Sequence, residues 1–133
     1  MQTRDQIYAA DAYKRVSKVK KEGKEYYGSY GSMAHKLPLL IRTAGLAQAL
    51  SFVESKGKKT GAYEQLLKDI AETIGKKDVL QDRARNADLS EYILLTKQVM
   101  DALLWYKRFA QSVLDIDACD ATLEEGAANE QSS

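Results

Sequence analysis

Few residues of this 133-residue chain could carry out chemistry, and His35 comes first among them. It is the single histidine, so no Ser/His, Cys/His or multi-histidine metal constellation can form within one chain. Next to an expected helix start, it reads as a loop residue rather than a general base. Cys119 is the single cysteine, so no internal disulfide is possible, and a reducing, cytoplasmic setting is the simple expectation. It sits among acids, with no cation to depress its thiol pKa. Asp115 with Asp117, or Glu124 with Glu125, could approach a cation, but a fraying helix end and an acidic tail make no rigid cage. Gly28-Ser-Tyr-Gly31 matches the GxxG loop that clamps RNA backbones in KH domains, yet that domain needs strands and none is expected here. There is no P-loop and no dinucleotide fingerprint. No enzyme, no metal and no cofactor is expected.

The remaining chemistry is that of cations beside aromatic rings. Lys14, Arg15 and Lys18 share part of the first expected helix. Arg42 lies on the outer side of the second, away from Leu39, Ala47 and Leu50. Lys107 and Arg108 follow Trp105-Tyr106 on the last, and Lys56, Lys58 and Lys59 cluster in a turn. Such residues neutralise phosphates and make binding salt-dependent. A solvated Lys-rich face is the plainer account of the same residues. The overall charge of +1 conceals an asymmetry: residues 115–133 hold six acids and no Lys or Arg. Residues 1–114 therefore carry 20 basic and 13 acidic side chains (19 minus 6), a balance of +7. A basic body with an acidic tail suggests a polyanionic partner.

Helices must position these groups. Hydrophobic residues make up 44% of the chain and charged ones 29%, ordinary globular usage for one domain with one core. No apolar run approaches the ~20 residues of a membrane span, and the polar start of the chain is not a signal peptide. Thr3-x-x-Gln6 is a capping box that opens a helix with Ala9, Ala12, Tyr13, Val16 and Val19 on one stripe, fraying near Gly23. Residues 26–36 read as a tyrosine-anchored loop. Pro38 fits the first turn of a second helix running to about Lys56. After the turn at 57–61, a third helix spans about 62–74 and stops at Gly75. Asp78-x-x-Gln81 opens a short fourth to about Asn86. Asp88-x-x-Glu91 opens the longest, to about Ile116 and roughly 40 Å in length. That helix is apolar on two stripes, so it is central to a bundle or also packs on another chain. The expected fold is all-α: a compact bundle of about five or six helices over residues 1–117 with a long C-terminal helix, followed by a disordered acidic tail over 118–133.

Several segments, taken in order, resemble one family. They are Thr3-Arg-Asp-Gln-Ile-Tyr-Ala-x-x-Ala-Tyr13, Leu37-Pro-Leu-Leu-Ile41, Gly45-Leu-x-Gln-Ala-Leu-x-Phe52, Tyr63-x-x-Leu-Leu67, Tyr92-Ile-x-Leu-Thr96 and Ala102-Leu-x-Trp-x-Lys-Arg-Phe-Ala110. Together they are similar to the small subunit of the type III-B CRISPR Cmr complex across most of residues 3–114. The tail falls outside the resemblance.

The resemblance implies a helical bundle without nuclease residues. Copies of it line the backbone subunits, touch the large subunit and wall the channel that holds guide RNA paired with target RNA. In such machines base pairing reads sequence while protein reads backbone shape and charge. The implied role is electrostatic positioning in antiviral defence, with Lys14, Arg15, Lys18, Arg42, Lys107 and Arg108 as the RNA-binding candidates. Lys107 and Arg108 lie inside a matched segment; the others rest on charge and helix position. A helical adaptor that touches only protein is the competing reading. A sequence-specific DNA binder is disfavoured, since no short helix-turn-helix with a polar recognition helix stands out. The tail, with six acids against a +7 body, is expected to shield the basic face from nonspecific RNA.

Overall fold

The computed structural model describes residues 1–56 and 61–117. The turn around Lys58 and Lys59, Cys119 and the expected disordered tail lie outside them. Six α-helices follow in order: α1 (Arg4–Val19), α2 (Lys24–Ala44), α3 (Leu46–Lys56), α4 (Ala62–Thr73), α5 (Leu80–Asn86) and α6 (Leu89–Ser112), with a 3₁₀ turn at Lys20–Glu22. Among the described residues there is no strand, so the all-α expectation holds.

Helix α1 begins as its sequence dictates. The Thr3 hydroxyl accepts from the Gln6 N–H at 3.1 Å, and the Thr3 N–H donates to the Gln6 side-chain oxygen at 2.8 Å. Two orphan donors are thus satisfied reciprocally. Tyr8, Ala12, Val16 and Val19 turn into the core, while Tyr13 stays 54% exposed.

Helix α2 corrects the sequence reading most. Residues 26–36 are not a loop, and Pro38 does not start a helix; it sits inside one that has already run for nearly four turns. Each helical glycine costs about 1 kcal/mol relative to alanine, and an internal proline removes one ladder hydrogen bond. Burial outweighs these local costs: Tyr30, Met33, Ala34, Leu37, Pro38 and Ile41 all lie inside. Gly31 serves close packing rather than chain reversal. A Cβ there would stand 3.1 Å from the Ile116 side chain, beyond the end of α6. His35 is buried on this helix, and its Nε2–H donates to the Ile116 carbonyl at 2.7 Å. It is an anchor for the segment after α6, not a loop residue.

The helix expected to run from Pro38 to Lys56 is broken at Gly45, where φ is +86°, a conformation that favours glycine. Helix α3 restarts with a borrowed cap: the Ala47 N–H donates to the Tyr92 hydroxyl at 3.0 Å. Leu39, expected to face inward, is 61% exposed.

Helix α4 ends as expected at Gly75, where φ is +82° and the Lys76 N–H returns to the Ala71 carbonyl at 2.8 Å. Asp78 does not cap α5; its carboxylate accepts from Arg83 Nε at 2.9 Å. Asp88 does cap α6, accepting from the Glu91 N–H at 2.9 Å, but Glu91 reaches Arg83 instead of completing the box. Helix α6 has 24 residues, about 36 Å, and stops four residues short of Ile116. The chain turns there through Asp115 at φ +59°, and the Ile116 N–H bonds the Ala110 carbonyl at 3.0 Å.

Helix α6 is the central element, packed against α1, α2 and α4. Leu95, Val99, Ala102, Leu103, Tyr106 and Ala110 form its buried face. Leu89 and Ile93, apolar residues of the same helix, are 75% and 60% exposed.

Candidate nucleic-acid interface

The six candidate cations separate over three helices and meet different surroundings. On α1, Arg15 turns inward to α4. Its guanidinium bonds Asp11 at 2.7 Å, pairs with Glu72 and stands 3.6 Å from Asp69. Burial alone would ease its proton off, but the hydrogen bond and charge of Asp11 outweigh that and hold the cation more firmly charged than usual.

Arg15 is one member of a polar network through the bundle. The Tyr30 hydroxyl donates to Asp69 at 2.6 Å, and the Gln65 amide donates to the same carboxylate at 2.8 Å. Thr73 joins Asp11 and the Tyr106 hydroxyl, each at 2.6 Å. Burial raises the Asp69 carboxyl above the ordinary carboxylate range, despite the bonds from Tyr30 and Gln65 and the nearby charge of Arg15. Burial also raises Asp11, but hydrogen bonds from Arg15 and Thr73 overcome it and its pKa ends below the usual value. Tyr30 and Tyr106 are pushed above the ordinary tyrosine range, chiefly by burial. These groups satisfy one another, as buried polar groups must. A groove of about 300 Å³ opens beside them between α1 and α4, and Lys18 lines it with Glu22, Tyr26 and Glu72. Cations and carboxylates alternate along that groove, so its charge does not select a polyanion.

The opposite flank of α1 meets α6 through aromatic rings. Tyr13 touches Phe109 edge-on, with centroids 5.4 Å apart, and Phe109 stacks on Trp105 at 6.0 Å. Arg108 lies over the Trp105 ring at 4.9 Å. Arg108 and Lys107 are exposed on α6, Lys14 is exposed on α1, and Arg42 is exposed in the last turn of α2. Among the described residues Lys14, Lys18, Arg42, Lys107 and Arg108 form no ion pair. The fold therefore brings Arg15 to acids, Lys18 to the mixed groove and Arg108 to the aromatic seam.

Sequence reasoning finds the Trp105-to-Arg108 cluster. It misses Asp69 and Glu72 as partners of Arg15, and it misses the Tyr13–Phe109 contact. Nothing local signals these, because the far partners Glu72 and Phe109 are 57 and 96 residues away in sequence (72 minus 15, 109 minus 13).

Fold and site together define a small all-helical protein with cations and aromatic rings on its surface. Among the described residues no group of His, Cys, Asp and Glu could hold a metal ion. No described helix is long and apolar enough to cross a membrane.

The chain belongs to the Cmr5 family: residues 4–113 match the family of the CRISPR-associated protein (Cas_Cmr5). It is 45% identical over 118 residues to the CRISPR system Cmr subunit Cmr5 of Thermus thermophilus, covering 86% of this chain and 99% of that protein. Its fold is similar to the crystal structure of a CRISPR-associated Cmr5 family protein from the same organism, with a TM-score of 0.76 and 46% identity over 85% of this chain and 98% of the other.

Proposed function

We propose that this chain is the non-catalytic small subunit of a type III-B Cmr effector complex, working in the cytoplasm in RNA-guided antiviral defence. The observation that carries the reading is the match along nearly the whole length of a protein named as a Cmr subunit. The chain stacks with further copies of itself along the backbone subunits and meets the large subunit at one end. Exposed Lys14, Lys18, Arg42, Lys107 and Arg108 hold phosphates of guide and target RNA, a contact that reads backbone rather than sequence. Arg15 supports the fold beneath them through Asp11 and Glu72. A non-catalytic role accords with the use of the single histidine as an anchor for Ile116.

The test is affinity recovery of the tagged chain from its native cell, with mass spectrometry of proteins and sequencing of RNA. Recovery of Cmr subunits with short guide RNAs is expected. Recovery alone, or with unrelated proteins and no RNA, overturns the reading.

One observation favours a protein-only adaptor as the second reading. Leu89, Ile93 and Leu104 are 75%, 60% and 46% exposed, and their spacing returns to one side of α6. Such a stripe suits another protein surface. Assembly that is insensitive to salt, without RNA crosslinks to this chain, would favour that reading over RNA contact.

A further inference from the structure

We infer that the α1–α6 seam is a stacking site for an unpaired nucleobase of RNA, with Tyr13 as its platform and Arg108 as its phosphate clamp; the inference rests on the RNA-binding reading above. Tyr13 is an exposed ring on a helix whose other tyrosine, Tyr8, is buried. Tyr13 meets Phe109 of α6 edge-on, while more than half of it meets solvent. Behind it, Phe109 and Trp105 continue an aromatic row that ends under the guanidinium of Arg108.

A row of rings with a cation at its end is the arrangement by which proteins hold single strands. The rings take base faces, and the cation takes the backbone. Duplex RNA offers no free base face here, since its bases are stacked on one another and its deep groove is closed to side chains. Lys20 adds positive charge on the same side: it stands seven residues after Tyr13, nearly two helical turns, and is exposed. The groove on the other flank of α1 lacks this character, because Glu22, Asp69 and Glu72 line it. On the α6 side the carboxylate at the seam, Asp101, is taken up by Arg4 and Lys97, which leaves Arg108 without an acid and favours this side for a polyanion.

Trp105 is the only tryptophan, so its emission reports on this seam alone. The experiment titrates the full chain, and separately the purified complex, with single-stranded and duplex RNA of equal length, reading Trp105 fluorescence in the chain and affinity in both. Single-stranded RNA is expected to change the emission and duplex RNA to leave it unchanged. Tyr13→Ala should weaken single-strand binding about tenfold, while Tyr13→Phe, which keeps the ring, should bind within about twofold of the parent. Arg108→Gln should weaken binding and lower its salt dependence. Salt-dependent RNA binding that ignores Tyr13→Ala and leaves Trp105 emission unchanged overturns the stacking site while the RNA-binding reading stands. Loss of Cmr subunits from the purified complex in Tyr13→Ala, with RNA affinity of the free chain unchanged, would make the seam a protein contact and also overturn it. Absence of RNA binding by both chain and complex would remove the parent reading itself.

Discussion

Two arginines on neighbouring helices, Arg15 and Arg108, carry the same charge to opposite fates. Arg15 enters a carboxylate-rich junction, where Asp11, Asp69 and Glu72 surround it and Tyr30, Thr73 and Tyr106 complete the hydrogen bonding. Arg108 stays at the surface, its guanidinium resting on the Trp105 ring. What separates them is which face of the helix the fold turns toward acids from another helix. A buried network of this kind makes the bundle one specific packing, because each unpaired member would cost its full desolvation. An arginine laid across an exposed ring costs the fold little and keeps its charge available to a partner.

The largest effect should come from breaking the buried side at its least exposed acid. Asp69→Ala removes the acceptor of the Tyr30 hydroxyl and one of the carboxylates facing Arg15. A loss of about 3 kcal/mol is expected, read as a lower urea midpoint with an unchanged slope. Asp69→Asn keeps an oxygen for Tyr30 and relieves a charge that burial disfavours, so its loss should be closer to about 1 kcal/mol. Equal losses for the two variants would show that the charge, rather than the acceptor, holds the junction.

Alkali tests the same junction through its tyrosines. Tyr30 and Tyr106 have folded pKa values raised above the ordinary 10.0. Their contribution is fully present below pH 10 and is lost as pH rises toward their folded values, because the unfolded chain then releases protons that the folded chain keeps. Each should remove about 1.4 kcal/mol per pH unit above about pH 10. Urea midpoints at about pH 9 and about pH 11 measure the fall. Tyr106→Phe should make it shallower by the share of one tyrosine, with a loss of about 1 kcal/mol for the missing bond to Thr73.

Much of this fold is legible where a local signal decides the outcome. Thr3 with Gln6, Gly75 and Asp88 each place a helix end through a cap or a positive φ, and each end lies where expected. Residues 24–44 escape a local reading because Gly28, Gly31 and Pro38 all speak against a helix. Their helix exists through packing: Gly31 admits Ile116, and Tyr30 reaches Asp69 on α4. The exposed stripe at Leu89 and Ile93 escapes it too, because periodicity gives the spacing of apolar residues without saying which side the bundle covers. The candidate cations are legible as a set, since Lys and Arg on helices are visible in any sequence. Their sorting into acid-paired and free surface groups is not. It depends on Asp69 and Glu72, which lie more than 50 residues after Arg15 and reach it only through the packing of α4 on α1.

The sharpest comparison sets the smallest effect, at Arg108, beside a larger one at Arg15, when each is changed to methionine. Methionine keeps a long apolar stem and removes the charge, so both variants lose the cation with little loss of packing. Arg15→Met leaves Asp11 and Asp69 without their cation and should cost about 2 kcal/mol near neutral pH. The Asp69 carboxyl, already raised, should rise further. A carboxyl raised on folding lowers stability as pH climbs from its unfolded value toward its folded one, so the Arg15→Met defect should shrink on acidification from about pH 7 toward about pH 4. Arg108→Met faces solvent and should change stability by no more than about 0.5 kcal/mol at either pH. It should act instead on RNA, reducing the salt dependence of binding by about one phosphate contact, whereas Arg15→Met should leave that slope as it is. If Arg15→Met lowered the salt slope and Arg108→Met did not, the two arginines would exchange roles, and the mixed groove rather than the aromatic seam would be where RNA lies.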